Sequence, residues 1–443
     1  MASLRAGIAQ FDITPAPGVR LAGYPHFPRE NEGAHDPLLG TVLYLSDGKT
    51  ELALVTLDIL FFSKKYVTAV RSRITEACGI PGRQVMICCS HTHSGPWASG
   101  NPEKDANPGG RSDVDPDYMI SLVSGIAANV VAAKASAFEA SIGFGVGRCG
   151  AESGVGGNRR DKNGICDPSV NVIAVRDKAG AMRGILVNYA LHPTFLHEDS
   201  LLVSCDYPGY LRAELEEAYP GARIGFAQGT SGDQSSRYFR VGQSFDEAER
   251  VGRLIGREAA RVAEDLTYED HPVLSYAFRE IPIEIRDYPP IEELEEKVRV
   301  RTAYYHKLIA ENAGYLPIQN ANLAVLGAED MLGYALRVRN GERIDLRDDE
   351  IPAEISVFRI GSHLIAGYPG EVFVEYGLKL KEMALAGTTF VFELSNGCLP
   401  GYCISDDAYE EDGYEAGNCM LKPGYGDKIV AEAAALARRV MAQ

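Results

Sequence analysis

The sequence predicts a mixed α/β fold in which central sheets are flanked by helices, and three observations support this prediction. Short β-like runs alternate with helical stretches along the chain, which is typical of sheets covered by helices. The chain has 443 residues, which is enough to enclose one large core. Hydrophobic residues make up 45% and charged residues 24% of the sequence, which excludes disordered, collagen-like and coiled-coil proteins.

Apolar spacing and turn residues locate the individual elements. Strands are predicted at residues 4–11, 41–45, 52–57, 85–89, 140–145, 170–175, 185–190, 223–227, 274–285, 355–360, 363–366 and 388–393. Helices are predicted at residues 64–78, 118–135, 207–219, 246–266, 291–312, 321–338, 372–386 and 428–442. We expect a single domain over residues 1–443. The charged helices within 288–345 predict either a helical cap or subdomain, or an ordinary hairpin on the surface.

Charge and composition restrict the partners and the location. The sequence has 44 Lys and Arg residues against 61 Asp and Glu residues, a net charge of −17, so its field repels nucleic acids and anionic membranes. No apolar segment follows a basic N-terminus, and no run of about 18 uncharged apolar residues occurs. Nine cysteines are scattered without a CxxC pair. We expect a cytoplasmic protein with reduced thiols and no transmembrane segment.

Two histidines follow the predicted strand 85–89, in the run Ser90–Pro96. Residues two apart in an extended segment point to the same side, so His91 and His93 can face one cavity, and neutral imidazole is a common zinc ligand. An HxH pair is a weak signal by itself, and ordinary hydrogen-bonded histidines are the more frequent explanation.

A third histidine and one carboxylate are further candidates for a metal site. His192 ends the apolar strand 185–190 and precedes Pro193, which disfavours a helix there. Glu371 follows a buried strand and a turn, and we expect it to open a helix. Catalytic zinc usually has three protein ligands and one position for water. The alternatives are a structural histidine and an acidic residue favoured by the helix dipole.

Two polar turns complete the set of candidates. The turn at 226–235 contains small residues that let backbone amides approach a substrate, but it is not a GxSxG nucleophile elbow. The glycine-rich turn at 156–160 carries Arg159, whose guanidinium suits a carboxylate or a phosphate. A solvated basic turn is the alternative interpretation of this second segment.

These segments, in their order along the chain, resemble the neutral/alkaline (non-lysosomal) ceramidase family, specifically its N-terminal catalytic domain. The resemblance extends from residue 5 to about residue 420. It is carried by Phe11–Pro15, Gly23-Tyr24, His35–Pro37, His91–Pro96, Asn158-Arg159, Asn188–Thr194, Phe226–Ser235, Pro369–Glu371, and Gly401-Tyr402 with Tyr414.

The resemblance implies a zinc-dependent amidohydrolase with one Zn²⁺ per chain. The residues that match the family's zinc ligands are His91, His192, Glu371 and Tyr402. The residues that match its other catalytic positions are Ser235, His93, Tyr414 and Arg159. In this assignment metal-activated water cleaves an N-acyl amide, Tyr414 stabilises the oxyanion, and Arg159 faces the substrate.

The chain also departs from the family pattern. The family's ceramidases generally carry a leader and an additional C-terminal domain, and from this sequence we expect neither. Ser236 and Arg237 stand where ceramidases usually have proline and asparagine. We therefore expect a small or polar N-acyl amide or ester substrate rather than membrane ceramide. The alternatives are an esterase or deacetylase of acylated sugars, a uronate-type lyase, and a non-catalytic ligand-binding homologue.

Overall fold

Two β-sheets pack face to face, and helices cover the outer face of each sheet. The computed structural model describes residues 3–99, 113–341, 352–411 and 413–443. Leu54 and Met86 of the larger sheet and Ile365 and Phe390 of the smaller sheet belong to the same buried cluster between the two sheets. The predicted mixed α/β fold, with central sheets flanked by helices, is confirmed.

The described residues form strands of very different length. In the first half of the chain they are β1 (Arg5–Asp12), β2 (Arg20–Leu21), β3 (Arg29–Glu30), β4 (Gly33–Ala34), β5 (Leu39–Ser46), β6 (Glu51–Leu57), β7 (Val85–Cys89), β8 (Phe138–Arg148), β9 (Gly157–Asn158), β10 (Ser169–Asp177) and β11 (Met182–Tyr189). In the second half they are β12 (Leu202–Val203), β13 (Arg223–Gln228), β14 (Gln234–Ser235), β15 (Tyr268–Glu269), β16 (Leu274–Ile281), β17 (Ala353–Ile360), β18 (His363–Gly367), β19 (Glu371–Val372), β20 (Thr388–Phe392) and β21 (Tyr402–Cys403).

The larger sheet has the strand order β13-β11-β10-β8-β1-β5-β6-β7, with β15 added beside β8. Its two outer pairs, β11 with β13 and β6 with β7, are parallel, whereas the pairs between them are antiparallel. The smaller sheet has the order β16-β17-β18-β20. Strands β7 and β11, which lie at or next to the two edges of the larger sheet, lead directly into the two histidine segments.

The helices lie outside the two sheets. They are α1 (Lys64–Cys78), α2 (Pro116–Ala135), α3 (Tyr207–Ala218), α4 (Phe245–Glu264), α5 (Ile291–Ala310), α6 (Tyr315–Arg339), α7 (Val374–Glu382), α8 (Tyr414–Gly417) and α9 (Tyr425–Met441). Helices α1 to α4 cover the larger sheet, and α7 and α9 cover the smaller one. Asp115 caps α2 and Ser244 caps α4 through side-chain oxygens that accept backbone N–H groups.

One of the predicted boundaries that differ from the structure affects a candidate site residue. Glu371 does not open a helix; it lies in the short strand β19, which pairs with β21, and α7 begins three residues later at Val374. The extended conformation is held by the Val372 N–H, which donates to Glu393, and by the Phe373 N–H, which donates to the carbonyl of Cys403. These long-range bonds outweigh the helical tendency of the local sequence.

Within the described residues, α2 is long and apolar enough to cross a membrane. Its Leu122, Ile126 and Val130 are buried in the apolar cluster beside β5 and β6. The same length and composition are expected of a helix that packs against the core of a sheet, which is the position it occupies.

Helices α5 and α6 form an antiparallel pair that packs mainly through a small apolar cluster of Leu294, Met331 and Ala335. Helix α6 begins at Tyr315, earlier than the predicted residue 321. Residues 342–345 of the predicted cap segment lie outside the described residues. Side chains of α6 line the large cavity described below, so this pair covers one side of it.

Candidate metal centre and catalytic cavity

A cavity of about 590 Å³ opens where strands of both sheets end. His91, His93, Glu371 and Tyr402 line it from the sheet side, and α6 lines it from the opposite side. A cavity of this size accommodates a small molecule.

The loops after β7 and β11 meet strand β19 at the floor of this cavity. The Nε2 atoms of His91 and His192 lie 3.2 Å apart. Glu371 Oε2 lies 3.3 Å from the first and 3.1 Å from the second of these nitrogens. All three side chains are buried. Three segments that are distant in sequence therefore place two imidazoles and one carboxylate around a single point.

The hydrogen bonds of the two rings determine which nitrogen carries the proton. His91 Nδ1 lies 3.2 Å from the carbonyl of Leu60, and His192 Nδ1 lies 2.7 Å from the carbonyl of Ser231. Because a carbonyl oxygen only accepts, each Nδ1 is the donor and each neutral ring presents an unprotonated Nε2. Two nitrogen lone pairs and a carboxylate oxygen then converge with no proton between them. This arrangement is suited to binding a metal cation.

The spacing of these atoms fits a tetrahedral transition metal. Zinc binds nitrogen and oxygen at about 2.0–2.1 Å, and tetrahedral angles place adjacent ligand atoms about 3.3–3.4 Å apart. The separations among His91, His192 and Glu371 are 3.1–3.3 Å. The donor set of two imidazoles and one carboxylate is also one that zinc uses in catalytic sites. The residues present therefore fit the ion that the sequence predicts.

His93 joins the same group. Its Nε2 lies 3.4 Å from His91 Nε2, so the three histidines present their nitrogens within 4.8 Å of one another. The resemblance assigns His93 to catalysis rather than to the metal, but the geometry makes it a further candidate nitrogen ligand. Burial and the neighbouring His91 hold the pKa of His93 well below its ordinary value.

The backbone around these histidines is held in an unusual conformation. His91 has a φ of 68°, which few residues other than glycine adopt, and its N–H donates to the carbonyl of Ile59. Gly23 has a φ of +100°, and a Cβ there would lie 2.6 Å from His93. Arg29 donates to the carbonyl of His93 and fixes that segment from behind.

The carboxylate of Glu371 is kept ionised in spite of its environment. Burial raises its pKa, but the adjacent His91 and His192 hold the pKa well below its ordinary value. In the reverse direction, burial and the charge of Arg159 lower the pKa of His192 to about 3. At neutral pH Glu371 is therefore a carboxylate and His192 a neutral imidazole, which are the forms that bind a metal.

Tyr402, Tyr414 and Arg159 form a second group beside the cluster. Tyr402 is paired with Glu371 through β21 and β19, and its ring centre lies 6.2 Å from that of Tyr414. The guanidinium carbon of Arg159 lies 5.4 Å from the Tyr402 ring centre. Arg159 is buried and forms an ion pair with Glu415 at 2.5 Å. The alternative of a solvated basic turn is therefore wrong for Arg159.

Ser235 lies in β14 and lines the same cavity. Its Oγ accepts a hydrogen bond from the backbone N–H of Arg237 at 3.2 Å. Among the described residues, no hydrogen bond joins Ser235 to the histidines. The structure thus brings His91, His93, His192 and Glu371 into contact and places the remaining candidates around them.

Sequence reasoning did not find the groups that support His192 from behind. Ser231 Oγ lies 3.3 Å from His192 Nδ1 and 2.5 Å from a carboxylate oxygen of Glu393. Glu393 is fully buried, and burial raises its pKa well above the ordinary value. A signal was present, since an acidic residue directly after the apolar strand β20 needs a buried partner.

Neither the family models nor the curated proteins contain a match to this chain. Solved structures do match. Neutral ceramidase from Pseudomonas aeruginosa superposes with a TM-score of 0.74 at 19% identity, over 99% of this chain and 75% of that one. A ceramidase complexed with C2 superposes with a TM-score of 0.74 at 18% identity, over 100% of this chain and 76% of that one.

The chain has the neutral ceramidase fold. The superposition includes all the segments that converge on the cavity, because it covers nearly the entire chain. The resemblance to the ceramidase catalytic domain that the sequence motifs indicated is confirmed at the level of structure. At this level of identity the neutral ceramidase fold is what the comparison establishes, and the chemistry has to be argued from the residues.

Proposed function

We propose that this protein is a zinc-dependent hydrolase that cleaves the N-acyl amide bond of a small or polar substrate. One observation carries the proposal: His91 Nε2, His192 Nε2 and Glu371 Oε2 lie at tetrahedral ligand spacing, and two of these residues, His91 and Glu371, line the cavity. Buried polar side chains that only stabilise the fold do not need a cavity beside them. Here it faces a cavity that can hold the substrate.

When bound, zinc supplies Lewis acidity and lowers the pKa of water from 15.7 to about 7. The residues of the chain supply the remaining functions. His91, His192 and Glu371 would hold the ion, and Tyr402 is the fourth candidate ligand. The carbonyls of Leu60 and Ser231 orient the two rings, which fixes the direction in which each Nε2 points.

In this proposal Tyr414 stabilises negative charge on the substrate oxygen. It lines the cavity beside Tyr402, and burial raises the pKa of its hydroxyl above the ordinary value. The hydroxyl therefore stays protonated and can donate a hydrogen bond. One such donor to a developing oxyanion contributes on the order of 3 kcal/mol.

Ser235 and His93 are placed to handle the proton that passes to the departing amine. Ser235 Oγ accepts from the Arg237 N–H, so the hydroxyl proton is free to point into the cavity. His93 lies on the same loop as His91, with its Nε2 3.4 Å from His91 Nε2. Arg159 forms an ion pair with Glu415, and its guanidinium carbon lies 5.4 Å from the ring centre of Tyr402. In this proposal it positions Tyr402 and, through the contact between the two rings, Tyr414.

A substrate panel tests this function. Purified protein would be stripped with a chelator, reloaded with zinc, and assayed against N-acyl amides, acylated sugars and unsaturated uronates. The proposal predicts that zinc restores release of carboxylic acid from N-acyl amides. Cleavage of uronates alone, or zinc binding with no turnover of any class, would replace this proposal by a lyase or a ligand-binding function.

A further inference from the structure

Arg237 is a cation in the cavity whose charge is not balanced. It lines the cavity and is partly buried. Among the described residues, no carboxylate oxygen lies within 4.0 Å of its guanidinium nitrogens. By contrast, the neighbouring Arg159 is paired with Glu415, and Arg240 donates to His197 Nε2 at 2.9 Å.

The cavity acids do not offer Arg237 a partner either. Glu371 is held by the two histidines of the metal cluster. Glu198 is engaged by the Nδ1 of His197 at 2.9 Å. Burial lowers the pKa of Arg237 in spite of attraction from the more distant Glu415. An arginine nonetheless remains charged in proteins, so a bound anion would offset the free energy cost of its partial burial.

The guanidinium of Arg237 uses only part of its hydrogen-bond donors within the protein. Its Nη1 donates to the carbonyl of Arg159 at 3.0 Å, and its backbone N–H donates to Ser235 Oγ at 3.2 Å. No protein acceptor among the described residues occupies its Nε and Nη2 donors. The Nη1 bond holds the guanidinium, and the backbone bond holds the turn that carries it. The unused donors leave part of the planar fork able to bind a carboxylate through two parallel hydrogen bonds.

The position of Arg237 indicates which part of the substrate carries the anion. Arg237 follows Ser235 on one turn and is hydrogen bonded to it. Under the proposed function, on which this step rests, Ser235 serves the departing amine. An anion bound at Arg237 therefore belongs to the amine half of the substrate.

We propose that Arg237 is a specificity residue that binds a carboxylate on the amine half of the substrate, so that the preferred substrates are N-acyl amino acids. Hydrolysis then adds one water across the amide, releasing a carboxylic acid from the acyl half and a free amino acid. The substrate is anionic, although the protein as a whole carries a net charge of −17. The positive charge of Arg237 attracts the substrate carboxylate, whereas the electric field of the whole protein repels it.

A matched pair of substrates tests this inference. N-octanoylglycine and N-octanoylglycinamide differ only in the carboxylate, and octanoate release is measured for both. The wild-type protein should prefer the acid. Arg237→Gln should lower kcat/KM for the acid by roughly 10- to 100-fold, mainly through KM, and leave the amide unaffected. Arg237→Lys, which retains the charge but not the fork, should give a smaller loss.

The matched control is Arg257→Gln, which makes the same change in net charge. Arg257 is exposed on α4, is paired with Glu214, and is not among the residues that line the cavity. This variant should leave both substrates unaffected. Equal losses for the acid and the amide in Arg237→Gln would show a structural role and overturn the inference, as would a wild-type protein with no preference for the acid.

A binding measurement separates this inference from the proposed function. Octanesulfonylglycine and octanesulfonylglycinamide have no scissile carbonyl, and calorimetry gives their Kd values for the zinc-loaded protein. Tighter binding of the acid in the wild type, lost in Arg237→Gln, supports the carboxylate site even when no substrate is hydrolysed. Equal Kd values for the two compounds overturn the inference, whatever the result of the hydrolysis assay.

Discussion

The Nε2 atoms of His91 and His192 lie 3.2 Å apart although the residues are separated by 101 positions in the chain. Each ring is held by a hydrogen bond from Nδ1 to a backbone carbonyl, of Leu60 in one case and of Ser231 in the other. Both rings are therefore oriented by the protein itself. Such preorganisation favours metal binding because little conformational freedom remains to be lost.

The first prediction concerns metal removal and stability. Zinc that binds only the folded chain stabilises it by about 2.7 kcal/mol at a free concentration 100 times the Kd. The zinc-loaded protein should therefore melt a few degrees above the chelator-treated protein in calorimetry. The double variant His91→Ala/His192→Ala should show no zinc-dependent shift. An equal shift in that variant would mean that zinc stabilises the chain from another place.

The second prediction concerns Ser235. Ser235→Ala should retain the metal and lose kcat by on the order of 100-fold, because a group that transfers a proton is removed without disturbing the metal cluster. Metal content and turnover are measured on the same preparation. The control is Ser236→Ala, since Ser236 is also buried and its Oγ has no hydrogen-bond partner among the described residues. Full activity in Ser235→Ala would exclude the serine from catalysis.

The third prediction concerns the buried ion pair of Arg159 and Glu415. Glu415→Gln should reduce the free energy of unfolding by about 3–5 kcal/mol, because it leaves a guanidinium buried without its partner. The double variant Arg159→Met/Glu415→Leu should recover most of that loss in denaturant titrations. It should still turn over slowly, because Tyr402 and Tyr414 lose the side chain that positions them. Normal turnover in the double variant would contradict that positioning role.

The fourth prediction concerns the contact between the two sheets. Asn396 Oδ1 accepts from the N–H of Ile87 in β7, and its Nδ2 donates to Glu354 and Ser356 in β17. Asn396→Ala should lower the free energy of unfolding by about 1–3 kcal/mol because it leaves buried polar groups unpaired. The exposed Asn163→Ala is the control and should be neutral. A neutral Asn396→Ala would show that the sheets are joined by apolar packing alone.

Much of the fold could be predicted from the sequence, because local periodicity is strong. The predicted helix at 64–78 and the predicted strand at 85–89 match α1 and β7. The boundary error at Glu371 arose where pairing with Tyr402–Cys403 decides the conformation. Such pairing joins segments that are far apart in sequence, so the local spacing of apolar residues does not predict it.

The candidate site divides in a similar way. His91 and His192 could be singled out because each follows a strand in an otherwise histidine-poor chain. The ion pair of Arg159 with Glu415 could not be predicted from the sequence, and neither could the lack of a carboxylate partner for Arg237 among the described residues. Both depend on which distant carboxylates the fold brings near. The ion pair between Arg159 and Glu415 is therefore seen only in the three-dimensional structure.

The metal content of the purified protein tests the central claim most directly. Elemental analysis should return one zinc per wild-type chain, and well below one in Glu371→Ala and in His192→Ala, with Arg257→Gln unchanged. X-ray absorption should show nitrogen and oxygen neighbours at about 2.0–2.1 Å and no sulfur. Stoichiometric zinc in both ligand variants, or zinc bound by sulfur, would contradict the account.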